Sequence, residues 1–323
     1  MDPDVSVVMS VYNDARYLGE SIESILGQDG VSFEFIAIDD GSTDGSGQIL
    51  ERRAAEDQRL RVLRQENQGL TRSLINGCAL ARGRYIARQD SDDISFPGRL
   101  RMLTDVLDTY PGAVLAASSC AMMGPSDELL LQAPAPARSA NGEARFCHGS
   151  LMFRRDAYER IGGYRPQFWA AQDIDLELRL AELGAIHVIP ELLYAYRINE
   201  DSVSATSPVQ KRLSRLATAA MDVRRRGLDE TPILEEAERL SSSESRAKRT
   251  EPGTDNYFIG RCLYAQRDRR ALAYLWSSAE TNPFSPRVWL ALAQAFVLGK
   301  SSGGHDVNLT GIVPRQGSGN GRV

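Results

Sequence analysis

Residues 83–94 read Gly83-Arg84-Tyr85-Ile86-Ala87-Arg88-Gln89-Asp90-Ser91-Asp92-Asp93-Ile94, a short apolar-led run that ends in a cluster of carboxylates. The run Tyr85–Arg88 predicts a strand, because it is short and is bounded by glycine and aspartate. In sheets built from alternating strands and helices, ligands bind beyond the carboxyl ends of the strands. The cluster Asp90–Asp93 therefore stands where a functional site is expected.

A second predicted strand ends in the same way. Phe33–Ile38 runs into the acidic and hydroxyl-bearing turn at residues 39–44. Val5–Val11 and Leu60–Leu63 are further predicted strands, and apolar residues at helical spacing separate all of them. This alternation indicates a parallel sheet with right-handed crossovers. Both acidic clusters are thus expected at one edge of one sheet.

The rest of the chain predicts a helical part and a tail. Apolar residues recur at helical spacing from Val209 to Leu298, and Trp289–Phe296 partly matches a tetratricopeptide helix pair. The last residues are polar, glycine-rich and aperiodic, which predicts disorder. The predicted parts are an α/β domain at 1–207, a helical domain at 208–300 and a disordered tail at 301–323.

Composition limits the class of protein. The chain has 323 residues, of which 42% are hydrophobic and 25% charged, as in soluble globular proteins. A net charge of -5 argues against a nucleic-acid partner, which needs a basic surface. The four cysteines lack metal-ligand spacing and predict buried thiols in a reducing compartment. Neither a signal peptide nor an apolar run of roughly 18 residues is predicted, so we expect a cytoplasmic protein.

The cluster Asp90–Asp93 has two interpretations. Closely spaced carboxylates repel one another unless a positive group lies among them. Mg²⁺ or Mn²⁺ is a natural partner, since both prefer oxygen ligands and usually bring substrate phosphates. The other interpretation is a solvated acidic turn that caps the next helix. Asp39-Asp40 likewise predicts either a ligand contact or an Asx turn.

Several common motifs are not met. Gly45-Ser46-Gly47 is followed by Leu50 where the dinucleotide fingerprint requires its third glycine. Gly299-Lys300-Ser301 has Gln294 where a P-loop requires its first glycine. The zinc-protease motif H-E-x-x-H is also absent from the sequence.

Three other features, read singly, favour a structural interpretation. Asp173 opens an amphipathic helix, where an acidic residue stabilises the helix dipole. His148 precedes a strand and is compatible with a structural histidine. The basic helix between Lys211 and Arg226 can lie on an anionic membrane surface or pack on a neighbour with a solvated face.

Taken together, the residues resemble inverting family-2 glycosyltransferases of the GT-A fold. The resemblance spans about residues 5–205 and leaves out the helical C-terminal part. Its ordered motifs are Val5–Asn13, Phe35–Asp44, Asn67–Gly69, Gly83–Ile94, His148–Arg154, Gln172–Arg179 and Tyr196-Arg197. The resemblance implies an α/β fold with a Rossmann-like mixed sheet, here followed by an all-α appendage.

The resemblance also implies residue roles. Asp92 and Asp93 fall on the motif that binds Mn²⁺ or Mg²⁺ with the donor diphosphate. Asp173 falls on the catalytic base. The implied contacts to the nucleotide sugar are Ser10, Tyr12, Asp40, Arg72, Asp92 and His148.

Three positions depart from the family pattern. Ser10 stands where proline is common, and Gln172 replaces the Glu that usually precedes the base. Asn199 stands where the family often has His, two residues after Arg197. These departures concern the acceptor contacts and the closing segment of the site.

The implied function is metal-dependent, inverting transfer of a sugar to a hydroxyl of a glycan or lipid-linked acceptor. The expected donor is a UDP-sugar, and the expected setting is surface polysaccharide or glycoconjugate assembly. The expected location is the cytoplasm, with peripheral contact at the inner face of the membrane. The alternative is a non-catalytic, nucleotide-sugar-binding or scaffolding member that acts through its helical tail, against which Asp92, Asp93 and Asp173 argue.

Overall fold

The computed structural model describes residues 2–125, 127–133, 146–198, 208–243 and 253–299. Contacts group the chain into two compact units, Met1–Glu251 and Pro252–Val323. The predicted tail at 301–323 and the departure at Asn199 lie outside the described residues.

The first unit holds a mixed sheet that has nine strands in its described part. The strands are β1 (Val5–Val11), β2 (Phe33–Asp39), β3 (Leu60–Arg64), β4 (Tyr85–Asp90), β5 (Ile94–Ser95), β6 (Ala113–Met123), β7 (Leu129–Ala133), β8 (Leu151–Arg154) and β9 (Ala185–Arg197). Their order is β3-β2-β1-β4-β8-β6-β9-β5, with β7 paired to β6. The first four strands are parallel, and β8 runs antiparallel between β4 and β6.

Helices follow the strands as the alternating pattern predicts. In the first unit they are α1 (Leu18–Leu26), α2 (Ser46–Glu56), α3 (Leu70–Ala79), α4 (Arg99–Thr109), α5 (Arg155–Arg160), α6 (Gln172–Ala181), α7 (Pro208–Arg225) and α8 (Thr231–Ser243). In the second unit they are α9 (Thr254–Ala265), α10 (Ala271–Thr281) and α11 (Pro286–Gly299). Short 3₁₀ turns cover His148–Ser150 and Pro166–Phe168.

The central strand β1 is buried on both faces. Val7 and Met9 join the core on one side of the sheet, whereas Val8 joins the core on the other side, because successive side chains of a strand alternate. Gly77 lets α3 approach closely, since a Cβ there would lie 2.6 Å from Val8 Cγ1. The strand ends are thereby held in a rigid, two-sided core.

The first unit extends beyond the boundary predicted at 207/208. Helices α7 and α8 group with the sheet, because Leu213 and Ala237 share one core with Phe168 and Leu178. The apolar stripe of α7 is therefore buried in protein, as the packing interpretation of this basic helix requires. Among the described residues, no helix is both long and apolar enough to cross a membrane.

Candidate active site

The two acidic clusters flank the end of β1. Ser10 on β1 lies opposite Ile38 on β2 and opposite Asp90 on β4. Because neighbouring strands are about 4.8 Å apart, Asp39-Asp40 and Asp90–Asp93 meet at one sheet edge. The juxtaposition predicted from the strand pattern is confirmed.

The turn after β1 is pinned to the loop after β2. Asn13 has a φ of 53°, in the left-handed region that Asn tolerates better than most residues. Its Oδ1 accepts a hydrogen bond from the Thr43 N–H (2.8 Å), and its own N–H donates to Ser42 Oγ (3.1 Å). In this turn region the Ser10 side chain is buried, whereas the Tyr12 side chain is 53% exposed. Tyr12 thus presents an aromatic ring at the edge where the resemblance implies the base.

Asp40 organises a neighbouring loop. Its Oδ1 accepts hydrogen bonds from Gln65 Nε2 (2.7 Å) and the Gln68 N–H (2.8 Å), and its Oδ2 accepts one from the Gly69 N–H (2.8 Å). The side chain is 1% exposed. Its geometry therefore suits shaping the 65–69 loop, and its implied contact with the base stays a prediction.

We expect Asp40→Asn to lower the free energy of unfolding by about 1–3 kcal/mol, because one amide NH₂ would face an N–H donor in a buried place. Equilibrium unfolding in urea measures this. Asp105→Asn, which changes an exposed carboxylate on α4, is the control. Equal stability of the Asp40 variant and the control would contradict this role.

Asp93 is held by β9. Its Oδ2 accepts a hydrogen bond from the Tyr194 hydroxyl (2.7 Å), and its Oδ1 accepts one from the Arg197 N–H (2.7 Å). Burial raises the pKa of Asp93 well above its ordinary range, and the charges of Asp92 and Asp90 add to the effect. Because both carboxylate oxygens of Asp93 accept hydrogen bonds from the protein, Asp93 is suited to holding the acidic turn in place. Of the two predicted metal ligands, Asp92 and Asp93, we therefore expect Asp93 to make the weaker metal contact.

Asp92 lies among other carboxylates. Burial, followed by the charges of Asp14 and Asp90, raises the pKa of Asp92 to about 7. Asp14 itself accepts a hydrogen bond from Ser91 Oγ. No three His, Cys, Asp or Glu side chains form a ready metal-ligand set in the ranges described. A cation here would need phosphate or water oxygens to complete its shell.

Arg197 is a site residue that the sequence reasoning did not assign. Its guanidinium is fully buried, and its Nε donates to the Asp92 carbonyl oxygen (2.8 Å). It also pairs with Asp127 and lies 4.2 Å from the centre of the Tyr17 ring. A fixed cation therefore lies directly beside the acidic turn. The only signal in the sequence was the Tyr196-Arg197 motif.

His148 lies against the Tyr164 hydroxyl. Burial lowers its pKa well below the ordinary value, and the charge of Arg88 adds to this. Its Nε2 lies 2.8 Å from the Tyr164 hydroxyl. Burial raises the pKa of Tyr164, and the charge of Asp173 adds to this, so His148 and Asp173 both act on Tyr164.

Asp173 lies in the first turn of α6 and is half-buried. The preceding Gln172 is 8% exposed, and its Oε1 has no hydrogen-bond partner in the described part of the chain. Thr71 Oγ1 donates to the Trp169 carbonyl oxygen (3.3 Å). That bond ties the loop before α6 to the first turn of α3, where the exposed Arg72 lies.

Comparison with known proteins identifies this arrangement. The sequence model of Glycosyl transferase family 2 matches residues 6–162. The chain is also 37% identical over 214 residues to the putative glycosyltransferase EpsE of Bacillus subtilis. The aligned region covers 64% of this chain and 77% of EpsE. The chain belongs to glycosyl transferase family 2. The predicted family and the predicted enzyme class, a glycosyltransferase, are confirmed.

This family 2 glycosyltransferase is also similar to proteins with lower sequence identity. It is 27% identical over 205 residues to the chondroitin synthase of Escherichia coli, covering 62% of this chain but only 30% of that protein. Its fold resembles S. aureus TarS in complex with UDP-GlcNAc, with a TM-score of 0.58, 20% identity and coverage of 92% and 89% of the two chains.

A second solved structure has the same fold. It is the mannosyltransferase PcManGT from Pyrobaculum calidifontis in complex with GDP-Man and Mn²⁺, with a TM-score of 0.53 and 19% identity. It covers 93% of this chain and 87% of that chain. The predicted GT-A-like mixed sheet followed by C-terminal helices is confirmed.

Proposed function

We propose that this family 2 glycosyltransferase moves a sugar from a nucleotide diphosphate donor to a hydroxyl group of a growing polysaccharide or glycolipid, with inversion at the anomeric carbon. The observation that carries the proposal is the gathering of Asp14, Asp90 and Asp92 beyond the ends of β1 and β4. Buried Arg88 and Arg197 offset part of this negative charge, and the carboxylates that remain in excess attract a divalent cation and, through it, a diphosphate. The chondroitin synthase relative supports a glycan acceptor.

Donor recognition is assigned to the β1–β2 side of the edge. The exposed Tyr12 offers a stacking surface for the base, and Ser10 and the Asp40-shaped loop border it. Arg72 is a further candidate for the diphosphate because it is exposed on the first turn of α3. The fold neighbour that holds UDP-GlcNAc makes a UDP-sugar the first donor to test.

For Mn²⁺ or Mg²⁺ we propose Asp92 as the protein ligand, with phosphate and water oxygens completing the coordination shell. Asp92 would hold the ion, with Asp93 keeping the turn in place. When bound, the cation would supply Lewis-acid stabilisation of the departing diphosphate. The Mn²⁺ complex of the mannosyltransferase neighbour supports this assignment.

Asp173 is proposed as the general base. A sugar hydroxyl is a weak nucleophile, so a carboxylate must accept its proton as the new bond forms. The first turn of α6 favours the ionised carboxylate through the helix dipole. Gln172 beside it is buried, and its Oε1 makes no hydrogen bond among the described residues.

The deciding experiment is a screen of nucleoside diphosphate release from UDP-, GDP- and dTDP-sugars, with and without oligosaccharide acceptors. We expect one donor to be hydrolysed slowly by water and turned over faster with acceptor. Donor binding without any turnover would favour the non-catalytic alternative over this proposal.

The basic face of α7 predicts salt-sensitive membrane binding. Its exposed cations are Lys211, Arg212, Arg215 and Arg225, and the exposed Arg226 follows directly after the helix. Since the apolar stripe of α7 is buried, only electrostatic attraction of about 1 kcal/mol per cation is available. We expect co-sedimentation with phosphatidylglycerol vesicles at low salt, and its loss at high salt or when Lys211, Arg212 and Arg215 become Gln. Absence of binding at low salt would leave only a protein partner or a structural role.

A further inference from the structure

The hairpin formed by α7 and α8 packs against the loop and helix that carry Asp173. Phe168 and Ala171, just before α6, share a buried core with Leu213 of α7 and Leu240 of α8. Ser241 Oγ of α8 also donates to the backbone carbonyl of Gln167 (2.9 Å), in the same loop. The hairpin therefore packs directly on the segment whose position decides where Asp173 points.

A chain of charges joins the same elements. Arg165 forms a two-fold hydrogen bond with Glu230, at 3.0 and 2.7 Å, and Glu230 also pairs with Arg224. Arg224 reaches Glu182 at the end of α6 (2.8 Å). The side chains of Arg165, Glu230 and Arg224 are each at most 20% exposed. Paired, bidentate and largely buried charges of this kind hold geometry better than exposed pairs.

The chain of charges ends two residues from the proposed base. Arg165 Nη1 lies 3.7 Å from Asp175 Oδ1, in the first turn of α6. Asp175 is 1% exposed, and its Oδ1 makes no hydrogen bond among the described residues. Its other oxygen accepts from Arg179 Nε (3.0 Å). Arg165 is therefore the link from the hairpin turn to the turn of α6 that holds Asp173.

We propose that Arg165 and Glu230 are positioning residues for the transfer reaction, which set the orientation of Asp173 through Asp175. The inference rests on the proposed role of Asp173 as base. It makes the α7–α8 hairpin a part of the catalytic unit, whereas the sequence placed it in a separate helical domain. A base displaced by about 1 Å can lose about 10²-fold in rate, so a modest loosening of this pair has a measurable effect.

The test uses Glu230→Gln in the full chain, with Asp268→Asn as control. Asp268 pairs with Arg270 in the second unit and is comparably shielded, at 25% exposure. Turnover is measured as UDP release from UDP-GlcNAc, or as nucleoside diphosphate release from the sugar that the donor screen selects. Calorimetric titration with the same donor counts binding-competent sites, so that kcat is expressed per folded site.

We expect Glu230→Gln to lower kcat per site about 10-fold, with the donor KM unchanged and the control unaffected. The distinguishing measurement repeats Glu230→Gln in an Asp173→Asn background. A pair that acts through Asp173 has no further effect once the base is gone, since residues that act as a unit are non-additive. Arg165→Gln, measured in the same way, supports or contradicts the result independently.

Two results obtained with Glu230→Gln would overturn the inference. One is an unchanged kcat per site in Glu230→Gln, and the other is an equal reduction with and without Asp173. If Asp173→Asn alone keeps full turnover, the proposed base and the positioning inference both fail. If Asp173→Asn loses turnover while Glu230→Gln keeps it, only the positioning inference fails.

Discussion

Replacement of Asp173 by Asn is expected to lower kcat about 10²–10⁴-fold, the usual contribution of a general base. Asn is nearly isosteric with Asp, so folding and donor affinity should change little. The loss should appear in kcat and equally in kcat/KM, as expected for an interaction made only in the transition state. Initial rates over donor and acceptor concentration, with donor affinity from calorimetry, give the required quantities.

The ordinary interpretation of Asp173 as a helix-dipole residue predicts a different result. Asp156 occupies the first turn of α5 in the same way and is exposed. Asp156→Asn is therefore a matched control for the dipole effect, expected to cost a few tenths of a kcal/mol to about 1 kcal/mol in stability. If both variants lose stability alike and neither loses turnover, the base lies elsewhere.

Local sequence pattern predicted the strand ends well. The run Val5–Val11 is β-branched, the acidic turns follow Phe33–Ile38 and Tyr85–Arg88, and helical spacing lies between them. These signals have short range, and parallel pairing then forces the turns to one edge of the sheet. The sequence alone therefore predicts that Ser10 and Asp40 lie at the same sheet edge as Asp90–Asp93.

The hydrogen-bond partners of Asp93 could not be predicted from the sequence in this way. Tyr194 is 101 residues away along the chain, and no periodicity connects the two positions. Buried arginines are equally hidden, because Arg99 looks like the exposed start of an amphipathic helix. In the structure its guanidinium donates to the carbonyl oxygens of Arg88 and Gly149 beneath the site.

The packing of α7 and α8 on the α/β part could not be predicted for a related reason. Periodicity predicts that α7 and α8 are amphipathic, but it does not say which surface covers their apolar stripes. Phe168 and Leu178 supply that surface from the α/β part, so the helices belong to the first unit. Contacts of this kind are long-range and leave no mark on local composition.

Removal of the divalent cation is expected to weaken nucleoside diphosphate binding by at least about 100-fold, since metal-assisted charge neutralisation is worth several kcal/mol. Asp92→Asn should weaken binding in Mn²⁺ and lose most of the response to EDTA. Asp105→Asn, on the exposed face of α4, should behave as wild type. Calorimetric titration with UDP, in Mn²⁺ and in EDTA, measures all of these affinities.

The pH dependence of that binding gives the sharper test of Asp92. Because burial and the charges of Asp14 and Asp90 raise the pKa of Asp92 to about 7, the metal-free carboxyl holds a proton below that pH. A cation binds the carboxylate and must displace this proton. The affinity for UDP in Mn²⁺ should therefore fall as pH decreases through about 7, and release of protons should accompany binding.

The diphosphate also takes up a proton in this range, so the difference in pH profile between wild type and Asp92→Asn is the informative quantity. An identical pH profile for the two proteins, or equal UDP affinity in Mn²⁺ and EDTA, would remove Asp92 from the metal site.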